Sequence, residues 1–254
     1  PQLHIIEHSQ SVGRFEMAAA KILLVLGAGK NIGQSLGYTF KAAGYKVALV
    51  SRSAVDGETT PEGFLTVKAD FTKPATIPSV FEAVKAKLGG PPNVVVYNAA
   101  ALTPSSDAAN PFTVPIESLE NDMAVNNTSA YIAAGEAVAG FDTLPKNTPK
   151  AFIYTGNALA AIILPVGRVI TLGIGKSASS YWIGTASEMY KEKGYKFYFA
   201  DERTATGAPV GGDISGSAAA NFYLKLAEEE SDIPWFATFV KDKGFVDFPD
   251  SRRL

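Results

Sequence analysis

The sequence predicts an α/β fold, a single domain built on a doubly wound parallel sheet of about seven strands, and three observations predict it. Short apolar runs of β-branched character recur along the chain, helix-like stretches separate them, and glycines fall where those helices would end. The 254 residues, 46 % hydrophobic and 19 % charged, suffice for one sizeable domain of this class, placed over residues 21–254.

The first strand is "KILLVL" (21–26), whose continuous rather than alternating hydrophobicity fits burial on both faces. A Gly-rich turn leads from it into a helix over 31–43, closed by Gly44, before "KVALV" (46–50) and "FLTV" (64–67). A helix over 77–88 ends at Gly89 and Gly90 and feeds "NVVVY" (93–97). A long helix over 116–139 precedes "AFIY" (151–154), and a helix over 174–193, closed by Gly194, precedes "KFYF" (196–199). Residues 200–217, "ADERTATGAPVGGDISGS", break the rhythm: they are rich in Gly, Thr and Asp and too long for a tight connection, so either a flexible loop or lid or a merely solvated connection is expected. A last helix over 215–230 leads to "FATFV" (236–240).

Composition narrows the function. The formal net charge is -2 with basic residues scattered rather than striped, so the expected partner is a small molecule and not nucleic acid. No apolar run approaches the ~20 residues that span a bilayer, and no membrane partner is expected. The absence of cysteine excludes disulfides, thiolate zinc sites and cysteine nucleophiles, and suits a reducing, cytoplasmic setting. His4 and His8 are the only histidines and lie in "PQLHIIEHSQSVGRFE", which lacks the apolar core and cleavage chemistry of a signal peptide. Met17 opens a more ordinary beginning, so residues 1–20 are set apart as an extension, and Ser/His/Asp catalysis is excluded unless that segment folds back. Asp201 and Glu202 are read as a solvated acidic pair, and no metal site is expected.

The chemistry starts at "GAGKNIG", comprising Gly27, Ala28, Gly29, Lys30, Asn31, Ile32 and Gly33. Placed between the first strand and first helix of an α/β pattern, such a turn lets backbone N–H groups approach a pyrophosphate while the helix N-terminus adds partial positive charge, as in Rossmann folds. The second strand ends in Ser51 and Arg52, with no carboxylate before Asp56. A carboxylate there would read a free ribose 2′-OH, whereas a basic residue accommodates a 2′-phosphate. Arg52, with Lys30 as a second positive charge, favours NADP(H) over NAD(H).

At these residues the sequence resembles the short-chain dehydrogenase/reductase family. Its turn has glycines at positions matched here by Gly27, Asn31 and Gly33, so Asn31 departs from the pattern, and Lys30 matches the basic residue of NADP-preferring members. "KADFT" resembles the acidic motif after the third strand, which implies that Asp70 meets the adenine amino group and Phe71 its edge. "YNAA" resembles the family's "NAG" motif, placing Asn98, Ala99 and Ala100 along the adenosine half of the site. "MAVNNTSAY" resembles the helix whose asparagine organises the active site, a register that selects Asn126. The segments "TGN", "GKSAS", "FYFADER" and "PWFATFV" resemble a divergent group of such proteins frequent in filamentous fungi.

The resemblance breaks at the catalytic centre. In the family a Tyr-x-x-x-Lys helix supplies proton donor and ribose anchor on one helical face, and a serine orients the carbonyl. Here Lys176 stands where that helix should begin, Leu172 replaces the tyrosine, and the serine position falls near Gly156 or Asn157. Lys176 is therefore expected to hold the nicotinamide ribose, Thr155 and Asn157 to hydrogen-bond substrate or carboxamide, and the proton to come from water or from Tyr181, Tyr154, Asp201 or Arg203. Three readings remain open: hydride transfer from NADPH to a small carbonyl or imine, with an iminium needing no proton at the reduced carbon; a nucleotide-binding isomerase, dehydratase, cyclase or regulator; and a catalytically inactive scaffold. The resemblance also implies a homodimer or homotetramer through the helices flanking the fifth strand.

Overall fold

In a computed structural model the described residues are 20–229 and 232–249, so His4, His8 and almost all of the N-terminal extension lie outside them. The sheet has order β3-β2-β1-β4-β5-β6-β7-β8. Its strands are β1 (Ile22–Leu26), β2 (Lys46–Ser51), β3 (Leu65–Lys68), β4 (Val94–Tyr97), β5 (Ala151–Thr155), β6 (Lys196–Arg203), β7 (Phe236–Val240) and β8 (Gly244–Phe245). The first seven run parallel and match the seven runs read from the sequence. The eighth pairs antiparallel with β7 and, at two residues, is too short to leave a hydrophobic pattern.

Strand residues alternate between two cores. Ile22, Leu24 and Leu26 face α2 (Ile77–Leu88), α4 (Ser129–Phe141) and α5 (Ile170–Met189), while Leu23 and Val25 face α1 (Ile32–Ala42) and α6 (Gly216–Glu228). Aligned register stacks one ring per strand across the first face. Tyr97, Tyr154, Phe199 and Phe236 follow one another at 5.6, 5.5 and 5.0 Å between centroids.

The helix read over 116–139 is present but not uniform. It runs as α3 (Ile116–Met123), a π-helical turn at Ala124–Thr128, then α4. The wider turn frees carbonyls from the helical ladder, and the sheet uses them: Tyr97 donates to the Val125 carbonyl and Tyr154 to that of Asn126, each at 2.6 Å.

Two boundaries differ from expectation. Helix α5 begins at Ile170 and ends at Met189, rather than spanning 174–193. Gly173 and Gly175 make the segment look like a loop, yet Gly175 is required inside the helix, where a Cβ would lie 2.4 Å from that of Asn126. Strand β6 continues to Arg203, so the stretch read as a flexible loop from residue 200 starts as buried sheet. The remainder of that stretch is pinned: Arg203 bridges to Pro209, Thr204 and Ala208 close a turn, and Ser215 caps α6 by accepting from the Ala218 N–H. None of the described helices is long and apolar enough to cross a membrane.

Candidate functional site

Two clefts open at the carboxyl ends of the strands, where ligands of doubly wound sheets bind. They share Leu102 in their linings. The first, about 890 Å³, is bordered by the Gly-rich turn, Ser51, Arg52, Asp70, Phe71 and residues 98–102.

Gly27 (φ +96) sits so close to Ala99 that a Cβ would lie 2.3 Å from its nitrogen, and Gly33 packs as tightly on Ala28. Gly29 faces open space, with nothing within 4 Å of where a Cβ would stand. Two glycines thus close the turn and the third leaves a cradle before the α1 N-terminus, a fit for a pyrophosphate. Asn98 buttresses the turn, donating from its amide to the Gly27 carbonyl at 2.8 Å.

Asn31 resolves the departure from the glycine pattern. Its φ of -90 is ordinary for a non-glycine residue, and its amide turns away from the cradle to α6, donating to the Ile214 carbonyl and accepting from the Gly216 N–H, each at 2.9 Å. Glycine at 216 is what admits it, since a Cβ there would lie 2.4 Å from Asn31 Oδ1.

Arg52 is exposed on the border of the cleft and Lys30 is exposed in the Gly-rich turn, with no carboxylate at the tip of β2. Asp70 accepts from the Thr72 N–H and hydroxyl, which hold its pKa below the usual carboxylate range, with Lys73 and Arg52 adding to the effect. Phe71 borders the cleft, but its ring is buried edge-on against Tyr97 rather than offered to a ligand.

The second cleft, about 540 Å³, has mostly apolar walls including Ile32, Leu159, Leu172, Val210 and Phe239, with Thr155, Asn157, Asp201 and Glu202 deeper in. Lys176 lies behind this floor, 3 % exposed, in the second turn of α5. Its ammonium donates to the Thr155 carbonyl at 2.7 Å and stands 4.3 Å from the Tyr154 ring centroid. Burial lowers its pKa to about 7, with the charge of Asp201 pulling the other way.

Of the two candidates for the serine position, Gly156 has no room for a side chain, since its Cβ would lie 2.2 Å from the Phe199 ring. Asn157 borders the cleft instead, its amide oxygen accepting from the Leu159 N–H at 3.1 Å. The Thr155 hydroxyl accepts from Tyr223 at 3.2 Å. Asn126 is fully buried and clasps both the N–H and the carbonyl of Ala101, at 2.9 and 2.8 Å, so it shapes the floor without facing the cleft.

Of the remaining sequence-based candidates only Asp201 borders that cleft. Tyr181 is 80 % exposed on the outer side of α5, and Tyr154 is buried with its hydroxyl committed to the Asn126 carbonyl. Asp201 and Glu202 are not a solvated pair: both are buried. Asp201 meets Arg203 at 2.6 Å with both side chains fully enclosed, and burial raises its pKa to about 6 despite that cation. Asp201 Oδ1 and Arg203 Nη2 have no hydrogen-bond partner among the described residues. Glu202, on the opposite face of β6, accepts from the Ser215 N–H.

Sequence reasoning also missed Tyr223 and Asp122, which accepts from the Thr103 N–H at 2.6 Å on the wall of the first cleft. The period-2 continuation Phe197, Phe199, Asp201, Arg203 was the available signal that β6 extends with its charges facing α5.

Residues 21–143 match the sequence model of short chain dehydrogenases. The chain is 42 % identical over 242 residues to the short chain dehydrogenase/reductase dmxR12 of Cryptosporiopsis sp. (strain 8999), across 91 % of this chain and 96 % of that protein. Among solved structures, a short-chain dehydrogenase/reductase from Serratia marcescens superposes with a TM-score of 0.69 at 22 % identity, covering 89 % of this chain and 97 % of that one. An oxidoreductase of the same family from Brucella ovis, in complex with a partially ordered NAD, gives 0.66 at 17 % identity, covering 83 % and 94 %. At these identities the structural likeness shows the fold.

Proposed function

The chain belongs to the short-chain dehydrogenase/reductase family, and from that premise we propose that it is an NADP(H)-dependent oxidoreductase acting on a small carbonyl or imine substrate at a non-standard catalytic centre. One observation carries the reading: the open cradle at Gly29 borders a cleft that shares Leu102 with a second cleft, behind whose floor Lys176 is buried, while Leu172 occupies the preceding helical turn. On this reading the nucleotide machinery is kept, while the proton donor and the serine position are both replaced.

The residues fit the cofactor by their chemistry. Backbone N–H groups of the turn and the α1 N-terminus would take the pyrophosphate, Arg52 and Lys30 the 2′-phosphate, Asp70 the adenine amino group, and Lys176 the nicotinamide ribose. When bound, NADPH supplies a hydride.

Around the reacting centre the chain's own groups divide the work. Asn157 commits its amide oxygen to Leu159, leaving its NH₂ to donate to a substrate oxygen or nitrogen. Lys176 is fixed by the Thr155 carbonyl and the Tyr154 ring, so its nitrogen stays behind the floor. Leu172 offers no proton and excludes water, which suits an already protonated iminium, where the reduced carbon needs no proton donor. We extend the reading to a homodimer or homotetramer through α4 and α5, supported by the exposed Tyr131 and Tyr181.

Calorimetric titration with NADPH and NADH tests the core of the reading. NADPH is expected to bind at about micromolar Kd and about tenfold more tightly than NADH, with Arg52→Ala erasing most of the difference. Equal affinity for the two nucleotides, or binding of neither, refutes it.

A further inference from the structure

We propose that Arg168 anchors an anionic group of the substrate, so that the second cleft selects apolar molecules bearing a carboxylate. The inference rests on the reading of that cleft as the substrate site.

Three side chains bordering the cleft carry a formal charge: Arg168, Asp201 and Glu202. The two acids are buried and engaged, Asp201 by Arg203 and Glu202 by the Ser215 N–H. Arg168 is exposed at the lip and makes no hydrogen bond or ion pair among the described residues. It is therefore the free cation bordering a cleft whose other contacts are largely hydrocarbon: Leu102, Pro104, Leu164, Val169 and Leu172.

Its place in the chain sets a geometry. Arg168 lies in the 3-10 turn Gly167–Val169 that runs directly into α5, so Arg168, Leu172 and Lys176 succeed one another at intervals of four residues. Helical spacing stacks them along one side, from the lip past the apolar wall to the floor, roughly 12 Å in all. The turn itself is seated: a Cβ at Gly167 would lie 3.1 Å from Ser105 Oγ and 3.5 Å from Pro111, which fixes the direction from which the arginine reaches the lip.

A guanidinium fork matches a carboxylate in a bidentate manner. A doubly charged phosphate suits the site less well, because one cation would leave its second charge against apolar walls. The substrate class that follows has a carbonyl or imine at one end, an apolar body packed along Leu172, and a carboxylate at the other end within reach of Arg168.

The test measures binding of 2-naphthoate and its neutral isostere 2-naphthamide by calorimetry, with and without NADP⁺. Naphthoate is expected to bind about tenfold more tightly than naphthamide, a preference that shrinks as salt is raised. Arg168→Gln should abolish the preference while leaving naphthamide affinity unchanged, and Leu172→Ala should weaken both probes alike. Equal binding of the probes to the unaltered protein, binding of neither, a preference that survives Arg168→Gln, or naphthoate binding indifferent to Leu172→Ala would each overturn the proposal. Discrimination that persists in a protein unable to bind NADP⁺ would uphold the Arg168 assignment and sink the cofactor reading instead.

Discussion

Replacing Gly175 by alanine sets two effects against each other, and their magnitudes decide the sign. Alanine in a helix interior is worth about 1 kcal/mol over glycine. Against that, the new Cβ would lie 2.4 Å from Asn126 Cβ and 3.3 Å from its Cγ. Ordinary carbon contacts need about 3.5 Å or more, so α5 and the π-helical turn must part by roughly 1 Å. Asn126 cannot yield by changing rotamer, because the clash is at its Cβ and its amide is clasped to both polar groups of Ala101. Forced overpacking costs about 1–3 kcal/mol, and a 2.4 Å approach between two Cβ atoms belongs in the upper part of that range, about 2–3, which leaves Gly175→Ala destabilising by about 1–2 kcal/mol. Gly173, two residues earlier in the same helix, is the control. Its Cβ would stand 3.9 Å from the nearest atom, Leu159 Cβ, an ordinary contact, so Gly173→Ala should stabilise by about 0.5–1 kcal/mol. Thermal unfolding should show Tm moving in opposite directions, down by about 2–8 °C for Gly175→Ala and up by about 1–4 °C for Gly173→Ala. Equal shifts of the same sign would refute the claim that α5 is glycine-dependent at its contact with Asn126.

Other outcomes follow from the same site. The Lys176 pKa, lowered from 10.5 to about 7 in the fold, gives a contribution present above 10.5 and lost as pH falls toward 7. In the absence of nucleotide the unaltered protein should therefore gain stability relative to Lys176→Met as pH rises across that window, and a constant difference in unfolding free energy would contradict it. Leu172→Tyr restores a hydroxyl one turn before Lys176 but leaves Asn157 and the blocked Gly156 at the serine position. It should raise NADPH-dependent turnover of a simple ketone by less than the ~10²-fold that a working general acid supplies, and a gain of that size or more would show that the tyrosine alone was missing. Gly156→Ala must displace the Phe199 ring from the aromatic ladder, lowering stability by about 1–3 kcal/mol in urea unfolding, and an unchanged midpoint would argue against the packing described.

What the sequence by itself determined is what near neighbours along the chain encode. Continuous apolar runs located all seven parallel strands, glycines located the ends of α1 and α2, and the turn from Gly27 to Gly33 located the open cradle before α1. Lys176 stands out by its resemblance to the family's helix lysine, and the structure encloses it behind the floor of the second cleft. What only tertiary structure decided are the fates of side chains whose surroundings come from distant segments. Asn31 finds its partners at 214 and 216, on the far side of the sheet order, so nothing local could say that its amide leaves the cradle clear. Asp201 and Glu202 read as solvated because charge is normally exposed, yet β6 runs on past β5 along β7 as buried sheet, and Asp201 is enclosed there against Arg203. Gly175 looks like a helix breaker until Asn126 arrives from across the fold to occupy the space a side chain would need. Local propensity sets which elements form; the close approach of elements far apart in sequence sets which polar groups are buried, which glycines are obligatory and which charges remain free to meet a ligand.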